Sequence, residues 1–293
     1  MEDGRSENRL LHLEIASMTH HIVPVVSFAR FCFLSLLLGL LALPATVRGE
    51  TAATNPASLV EMSLEELMAI PVYTAARHLQ SVSEAPAFVT VVTADQIKKF
   101  GYRTLADVLR GVSGFYVSYD RNYEYLGVRG FSRPGDYNTR VLLLLNGARL
   151  NECIYDSAGI GTDAFLDIDN IERVEIVRGP GSALYGTSAF LGIINIITRT
   201  GQSIDGSEIS VETGSHDLWK GRFSQSLVYP NGLSVYVSGT TYSNPGDSLY
   251  YPEFDAPETH SGVVPSGGDR DRYEALYLNV MYSDFTLQGG IMD

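Results

Sequence analysis

The sequence predicts an α+β fold, in which a compact domain with a small mixed sheet and short helices is followed by a series of antiparallel strands. Over about residues 62–200, helix-capping signals alternate with short β-like runs. After Gly201 the chain changes to segments of about ten residues in which apolar and polar residues alternate. The composition, with 28 Gly and 17 Tyr but one Trp and two Cys, is typical of turn-rich β structure.

The N-terminal 49 residues have the order of a secretory signal. Arg30 precedes thirteen apolar, small or hydroxyl residues over 31–43, and Pro44 with further small residues follows. This run is too short for an ordinary membrane-spanning helix, although an uncleaved anchor is the alternative. We therefore expect residues 1–49 to be removed and the mature chain to leave the cytoplasm.

The charge excludes a nucleic-acid partner held by phosphate contacts. Lys and Arg number 21 against 34 Asp and Glu, a formal net charge of −13. The predicted signal carries as many basic as acidic residues, so the whole −13 belongs to the mature chain. Of the two cysteines only Cys153 follows the signal, so no intrachain disulfide is expected.

Residues 50–83 begin as a small, polar and flexible terminus. Ser63 and Glu66 then form a capping box that predicts a short helix through Met68, which Pro71 ends.

Two more helices are predicted by capping signals inside the compact domain. Thr93, with Gln96 three residues later, begins one over the letters ADQIKKF, and Thr104 with Asp107 begins the other over LADVLR. A glycine follows each helix and ends it. Farther along, Asp169 is predicted to cap a helical turn before Ile171.

Short β-like runs lie between and after these helices. They are Ala87–Val92, Phe115–Ser118, Leu126–Arg129, Val141–Leu145, Val174–Val177 and Ile193–Ile197. Every position of Val141–Leu145 is apolar, so we expect that strand to be buried on both faces.

The alternating segments after Gly201 leave two interpretations open. Ile209, Val211 and Thr213 share one face of the first segment, and residues 230–232, Pro-Asn-Gly, supply a turn between later ones. Such segments occur in transmembrane β-barrels. They occur equally in a soluble antiparallel sheet with one wet face, and periodicity alone does not separate the two.

Five motifs together carry a family resemblance. They are EAPAFVTVVTADQI at 84–97, TLADVLRGVSGFYV at 104–117, LGVRGFS at 126–132, VLLLLNGARLN at 141–151 and IERVEIVRGPGSALYGTSAFLGIINIIT at 171–198. In this order they resemble the plug domain of TonB-dependent outer-membrane receptors. The alternating segments that follow look like the first strands of that family's barrel.

The resemblance implies energised uptake across the outer membrane of a Gram-negative bacterium, with no enzymatic activity, cofactor or metal site. A plug fills a barrel of about 22 strands, because so wide a lumen would otherwise leak. The implied partners are TonB, outer-membrane lipid and a small-molecule metal chelate or similar solute. A ferric siderophore is expected first, and cobalamin, haem or an oligosaccharide remain alternatives.

The resemblance also places a TonB box, the segment that TonB would pull, just before the plug. It falls on Ile70, Pro71, Val72, Tyr73, Thr74 and Ala75. An extended, partly apolar segment can add as a strand to the edge of a partner's sheet. Pro71 departs from the usual pattern, since it removes one backbone donor, and an ordinary linker is the alternative.

Loops at the outward tip of the plug are expected to contact the solute. The candidates in residues 119–125 are Tyr119, Arg121, Tyr123 and Tyr125, and those in residues 151–162 are Asn151, Tyr155, Asp156 and Ser157. Aromatic rings with charges of both signs suit a small polar solute. Arg121, Arg133 and Arg140 could meet an anionic chelate.

Three charged residues occupy positions where the family locks the plug against the barrel wall: Arg129, Glu175 and Arg178. Inside a lumen such charges would have to be paired. Two other classes of function stay open, a secreted periplasmic binding module and a phosphate-handling enzyme that uses Gly181–Gly186. The second lacks the lysine of a phosphate loop.

Strand arithmetic predicts that the barrel is incomplete. Residues 201–293 hold four or five strands of about ten residues, against the roughly 22 that a plug-sized lumen needs. We therefore expect the N-terminal part of a longer receptor. Its predicted parts are a signal peptide over 1–49, a flexible terminus with a short helix and the TonB box over 50–83, the plug over 84–200 and the start of an antiparallel transmembrane β-barrel over 201–293.

Overall fold

The computed structural model of the chain describes residues 71–72, 74, 80–81, 88–133, 135–258, 262–263 and 268–293. The predicted signal and the helix expected after Ser63 lie outside these residues. Within them, none of the helices has both the length and the apolar character needed to cross a bilayer.

The first part of the described chain is a mixed α+β domain. Its elements are β1 (Pro71–Val72), β2 (Gln80–Ser81), β3 (Val89–Thr93), α1 (Ala94–Phe100), α2 (Leu105–Arg110), β4 (Phe115–Tyr119), β5 (Glu124–Val128), β6 (Val141–Leu145), β7 (Ala148–Arg149), a 3₁₀ helix (Ile168–Asn170), β8 (Ile171–Arg178), α3 (Ser182–Tyr185) and β9 (Gly192–Thr198). A series of longer strands follows: β10 (Ser207–Thr213), β11 (Trp219–Val228), β12 (Ser234–Asn244), β13 (Asp271–Tyr282) and β14 (Phe285–Met292), with a 3₁₀ turn (Pro252–Phe254) before β13.

A five-stranded mixed sheet in the order β3-β8-β9-β6-β7 forms the centre of the domain. β6 runs parallel to β9, and the other neighbours are antiparallel. All five residues of β6 are buried, as its apolar run predicts, because α1 and α2 cover one face and residues 182–190 cover the other. The predicted α+β class is confirmed.

The two predicted helices form with their predicted caps. The Thr93 hydroxyl accepts the Gln96 N–H at 3.4 Å, and the Gln96 side chain returns to the Thr93 N–H at 3.1 Å. Gly101 ends α1 with a φ of 68°, which glycine adopts without strain. Thr104 caps α2 through the Asp107 N–H at 3.2 Å.

The predicted cap at Asp169 is wrong by two residues. The 3₁₀ turn begins at Ile168, and the Asp167 carboxylate caps it by accepting the Asp169 N–H at 2.8 Å. A short 3₁₀ turn needs its cap one residue before its first member. Asp169 therefore lies inside the turn, and its side chain points to strand β11 instead.

The strands after Gly201 form a second sheet in the order β10-β11-β12-β13-β14, with every neighbour antiparallel. The predicted turn at 230–232 closes β11 onto β12, with the Gly232 N–H donating to the Tyr229 carbonyl at 3.0 Å. Among the described residues β10 and β14 are the two edge strands and do not pair with each other. The sheet is therefore open, as the prediction of an incomplete barrel requires.

The polarity of this sheet separates the two interpretations left open by the periodicity. The face turned toward the α+β domain buries polar residues, among them Lys220, Arg222, Ser224, Ser226 and Asn279. The opposite face exposes apolar side chains, among them Ile209 at 75%, Val211 at 74%, Phe285 at 80% and Ile291 at 71%. A soluble sheet would bury the second set and expose the first.

Candidate functional site

The second sheet, β10-β11-β12-β13-β14, is called the wall below. Its antiparallel order gives it two distinct ends. The connections 214–218 and 245–270 lie at one end, which we call the loop end, and 229–233 and 283–284 lie at the other, the turn end. The connection 245–270 is much the longest of the four. This difference provides an axis along which the functional residues of the domain can be placed.

A buried ion cluster joins the domain to the wall, and we call this contact the seam. The Lys220 ammonium lies 2.9 Å from the Asp167 carboxylate and 2.6 Å from that of Asp169. The Asp167 side chain is wholly buried and that of Lys220 is 7% exposed. Both partners are therefore paired inside the protein, as buried charges must be.

The seam continues along the wall as further polar contacts. The Arg222 guanidinium lies 2.6 Å from Glu208, whose other oxygen is 3.1 Å from Arg199. Deeper in, the Tyr236 hydroxyl donates to the Asn170 side chain at 2.8 Å. Tyr277 repeats this arrangement by pairing its hydroxyl with that of Thr198 at 2.8 Å.

Sequence reasoning did not single out the basic residues of the seam. Lys220 and Arg222 are two residues apart on a predicted alternating strand, so they share one face. Two basic residues on the strand face expected to line a lumen would have been the signal for a contact with the plug. The carboxylate partners of Lys220 lie more than fifty residues earlier in the chain, which no local pattern indicates. Glu208, which pairs with Arg222, lies on the neighbouring strand β10.

A cavity of about 80 Å³ lies in the seam near the loop end. Its lining includes Arg103, Glu212 and Lys220 and the stacked pair Tyr242 and Tyr273, whose ring centroids are 4.9 Å apart. The ion-cluster residues Asp167, Asp169 and Lys220 line this cavity as well, so the cavity adjoins the seam directly.

The three charges expected to lock the plug have their described contacts within the domain. Arg129 donates to the Arg178 carbonyl at 2.8 Å, and Arg178 donates to the Ser113 carbonyl at 2.8 Å. Glu175 is wholly buried and accepts from Arg173 at 2.9 Å. Residues of the seam and Asn146 make contacts to β10–β14. The locking role of Arg129, Glu175 and Arg178 stays a prediction.

The first candidate solute loop is the tip of the β4–β5 hairpin. Tyr119 is 58% and Tyr123 38% exposed, and the half-exposed Arg121 lies 3.4 Å from Asp269, at the loop end of the wall. Tyr125 is buried, and its hydroxyl donates to Asp120 at 2.7 Å.

The second candidate loop is exposed at its tip and buried at its base. Tyr155 is 77% exposed, and Asp156 pairs with Arg149 at 2.6 Å. Ser157 is half-buried, whereas Asn151 is buried. The Asn151 amide accepts from the Leu143 N–H at 2.8 Å and donates to two carbonyls, so it holds the loop on β6.

The TonB-box candidate is described at three positions, and Ile70, Tyr73 and Ala75 lie outside the described residues. Pro71–Val72 pairs antiparallel with Gln80–Ser81, which makes a short extended segment. Thr74 is buried, and its hydroxyl donates to Glu175 at 2.6 Å and accepts from Asn195 at 3.0 Å. The Thr74 N–H also reaches Glu175, at 3.3 Å.

Contacts run from Thr74 toward the turn end of the wall. Asn195 accepts from the Gly147 N–H at 2.9 Å. The side chain of the preceding Asn146 bonds Gln288, near the turn side of β14. The tyrosine-rich hairpin instead meets the loop end through Arg121, so Thr74 and this hairpin are linked to opposite ends of the wall.

The family profile described as "TonB-dependent Receptor Plug Domain" matches residues 81–193. The chain is 33% identical to the Vitamin B12 transporter BtuB of Vibrio vulnificus over 185 residues, which cover 62% of this chain and 29% of that protein. It is 29% identical to the iron-regulated outer membrane virulence protein of Vibrio cholerae over 188 residues, 61% of this chain and 28% of that one. The chain thus spans less than a third of the length of these relatives.

Solved structures agree with the fold. The ferripyoverdine receptor of the outer membrane of Pseudomonas aeruginosa matches with a TM-score of 0.58 and 19% identity, over 76% of this chain and 27% of that one. The ferric yersiniabactin uptake receptor FyuA from Yersinia pestis matches with a TM-score of 0.53 and 23% identity, over 73% and 32% of the two chains. Residues 81–193 thus match the plug-domain family of TonB-dependent receptors, and these solved structures show the same fold as the α+β domain with its adjoining antiparallel sheet.

Proposed function

We propose that these residues work within a TonB-dependent receptor of the outer membrane of a Gram-negative bacterium, which takes up a scarce solute with energy delivered by TonB. The inverted polarity of the wall sheet carries the proposal. An apolar face such as that of Ile209 and Phe285 needs lipid or protein to cover it, and the polar face is already covered by the plug. A secreted binding module would not expose that apolar face to water.

The opposite placement of the two candidate sites supports a direction of transport. The hairpin that carries Tyr119 and Tyr123 meets the longest wall connection through the pair of Arg121 and Asp269. Long connections face outward in bacterial barrels, and short turns face the periplasm. The proposal therefore has the solute arriving at the loop end and TonB engaging the segment around Thr74 from the turn end.

A ferric siderophore is the solute we propose first. Arg133 and Arg140 are exposed beside a cavity of about 70 Å³ that Phe131 also lines, and the Arg140 guanidinium lies 3.7 Å from the Asp136 carboxylate. Two cations beside an exposed ring suit an anionic chelate with aromatic groups. Cobalamin is the second candidate, because the relative that is 33% identical is a vitamin B12 transporter.

Uptake by the intact gene product tests the proposal. A strain that lacks the intact gene would be compared with the complemented strain for accumulation of labelled ferric siderophores and labelled cobalamin, each with and without TonB. TonB-dependent uptake of the iron chelates alone supports the first candidate, and uptake of cobalamin alone replaces it with the second. Equal accumulation with and without TonB would refute the receptor function.

A further inference from the structure

The carboxyl group of Glu124 occupies a junction of three segments near the loop end. It lies at the start of β5, beneath the tyrosine-rich hairpin tip, with a side chain that is 14% exposed. One oxygen, Oε1, is 3.4 Å from the Arg110 guanidinium of α2. The other, Oε2, is fully buried and has no hydrogen-bond partner among the described residues.

The unpartnered oxygen points at the segment around Gly161. A Cβ built on Gly161 would stand 2.8 Å from Glu124 Oε2 and 3.2 Å from Asp163 Oδ1, so the two carboxyl groups converge on the same glycine. Asp163 is held there because it accepts the Gly161 N–H at 3.0 Å. Beside this junction is a cavity of about 60 Å³, lined by Glu124, Tyr123, Ser157 and Asp163.

We propose that Glu124 is a proton-operated contact: while its carboxyl is neutral the outward hairpin stays packed against the segment 157–163, and loss of the proton to solvent leaves a buried carboxylate facing Asp163, which drives these two segments apart. The proposal goes beyond uptake itself, since it concerns how the candidate solute loops are held together. It predicts a more open loop end in alkaline than in acidic surroundings.

The charges around Glu124 favour its neutral form. Arg110 of α2 lies 2.7 Å from Asp107 but 3.4 Å from Glu124. The guanidinium is therefore paired mainly with the aspartate. From the other side Asp163 presents a second carboxylate. An ionised Glu124 would therefore be a buried charge between two like charges with one shared cation.

The direction of titration agrees with this geometry. Burial, assisted by the Asp107 carboxylate and opposed by Arg110, raises the pKa of Glu124 to about 7. A carboxyl group whose folded pKa is raised stabilises the fold below that pKa, and the contribution is lost as the pH rises toward it. The contact is therefore closed at pH 5 and released above pH 7.

Hydrogen exchange measured by mass spectrometry tests the proposal on the full 293-residue chain refolded in detergent micelles, with rates corrected for the intrinsic effect of pH on exchange. In the wild type, protection of peptides covering 119–125 and 157–163 should fall about tenfold between pH 5.5 and 8. In Glu124→Gln, which stays neutral and keeps the shape, it should not change with pH. Asp163→Asn removes the second carboxylate and with it part of the repulsion that favours neutral Glu124, so the midpoint of the transition should move to a lower pH.

Glu152→Gln is the matched control, because it neutralises a carboxylate of the same loop region whose contacts are to the backbone of its own turn. It should keep the wild-type pH dependence, and the peptide covering β6 should stay protected in every variant. An unchanged pH dependence in Glu124→Gln, or a midpoint that Asp163→Asn leaves in place or raises, overturns the proposal.

Discussion

Lys220 of the wall and Asp167 of the plug form a buried ion pair at 2.9 Å, between residues 53 positions apart in the chain. The same aspartate caps the 3₁₀ turn that begins the seam. One carboxylate therefore fixes both the local turn and the position of the plug against the wall, which makes the pair sensitive to the loss of either partner.

Lys220→Met should destabilise the plug on the wall by about 3–5 kcal/mol, because it leaves the wholly buried Asp167 carboxylate without its cation. The measurement is the urea midpoint of the chain in detergent micelles. Arg272→Met breaks an exposed pair with Glu274 and should cost less than about 1 kcal/mol. Adding Asp167→Asn to Lys220→Met should recover part of the loss, and a double variant as unstable as the sum of both would contradict the pairing.

Acid should loosen the seam through Asp169. Burial opposes ionisation of this carboxyl, but Lys220 and Arg222 outweigh it, so the pKa of Asp169 is lowered. A lowered folded pKa contributes stability above the unfolded value of about 4, and this is lost as the pH falls through the folded pKa. Between pH 6 and pH 2.5 the wild type should therefore lose more stability than Asp169→Asn. Parallel curves for the two proteins, followed by urea unfolding, would rule this out.

Thr74→Val should release the segment proposed as the TonB box from the plug. The variant keeps the shape but removes the hydroxyl that donates to Glu175 at 2.6 Å and accepts from Asn195 at 3.0 Å, a loss of about 1–3 kcal/mol in docking. A released segment is free to add to a partner's sheet, so a soluble periplasmic fragment of TonB should bind up to about tenfold more tightly by calorimetry. Thr74→Ser keeps the hydroxyl and should bind like the wild type. Equal affinity of the Val and Ser variants would show that Thr74 does not restrain the segment.

The helices of the plug were predictable because their signals are local. Thr93 and Gln96 stand three residues apart, and both of their capping bonds form. The burial of strand β6 on both faces was equally predictable, since all five of its residues are apolar and neither face suits contact with water. Strand ends were less certain: β8 begins at Ile171, earlier than the alternation at Val174 suggests, because its first residues pair with β9 rather than follow a pattern of their own.

The candidate sites depended on contacts that periodicity does not carry. Alternation showed that Lys220 and Arg222 share a face, but not that this face is turned to the plug. The hydrogen bond from Thr74 to Glu175 joins residues 101 positions apart, and only the folded structure shows it, because Glu175 lies on strand β8 of the central sheet. Tyr125 and Asn151 were candidate solute contacts by position, and the structure places both inside the domain, where their polar groups serve neighbouring loops.

Ile209→Arg should discriminate a lipid-facing wall from a soluble sheet. Ile209 is 75% exposed and lies in a cross-strand row with Phe223, Gly239 and Leu276, near the middle of the wall. In lipid, an arginine at that level costs about 2–4 kcal/mol, whereas near an interface it costs about 0–1. Thr213→Arg, on the same face but at the loop end of β10, is the matched control. With phospholipid vesicles, Ile209→Arg should lower the folded, membrane-associated fraction of the chain and Thr213→Arg should not. If both variants associate like the wild type, or if Ile209→Arg makes the chain a well-behaved soluble monomer, then the exposed apolar face does not meet lipid.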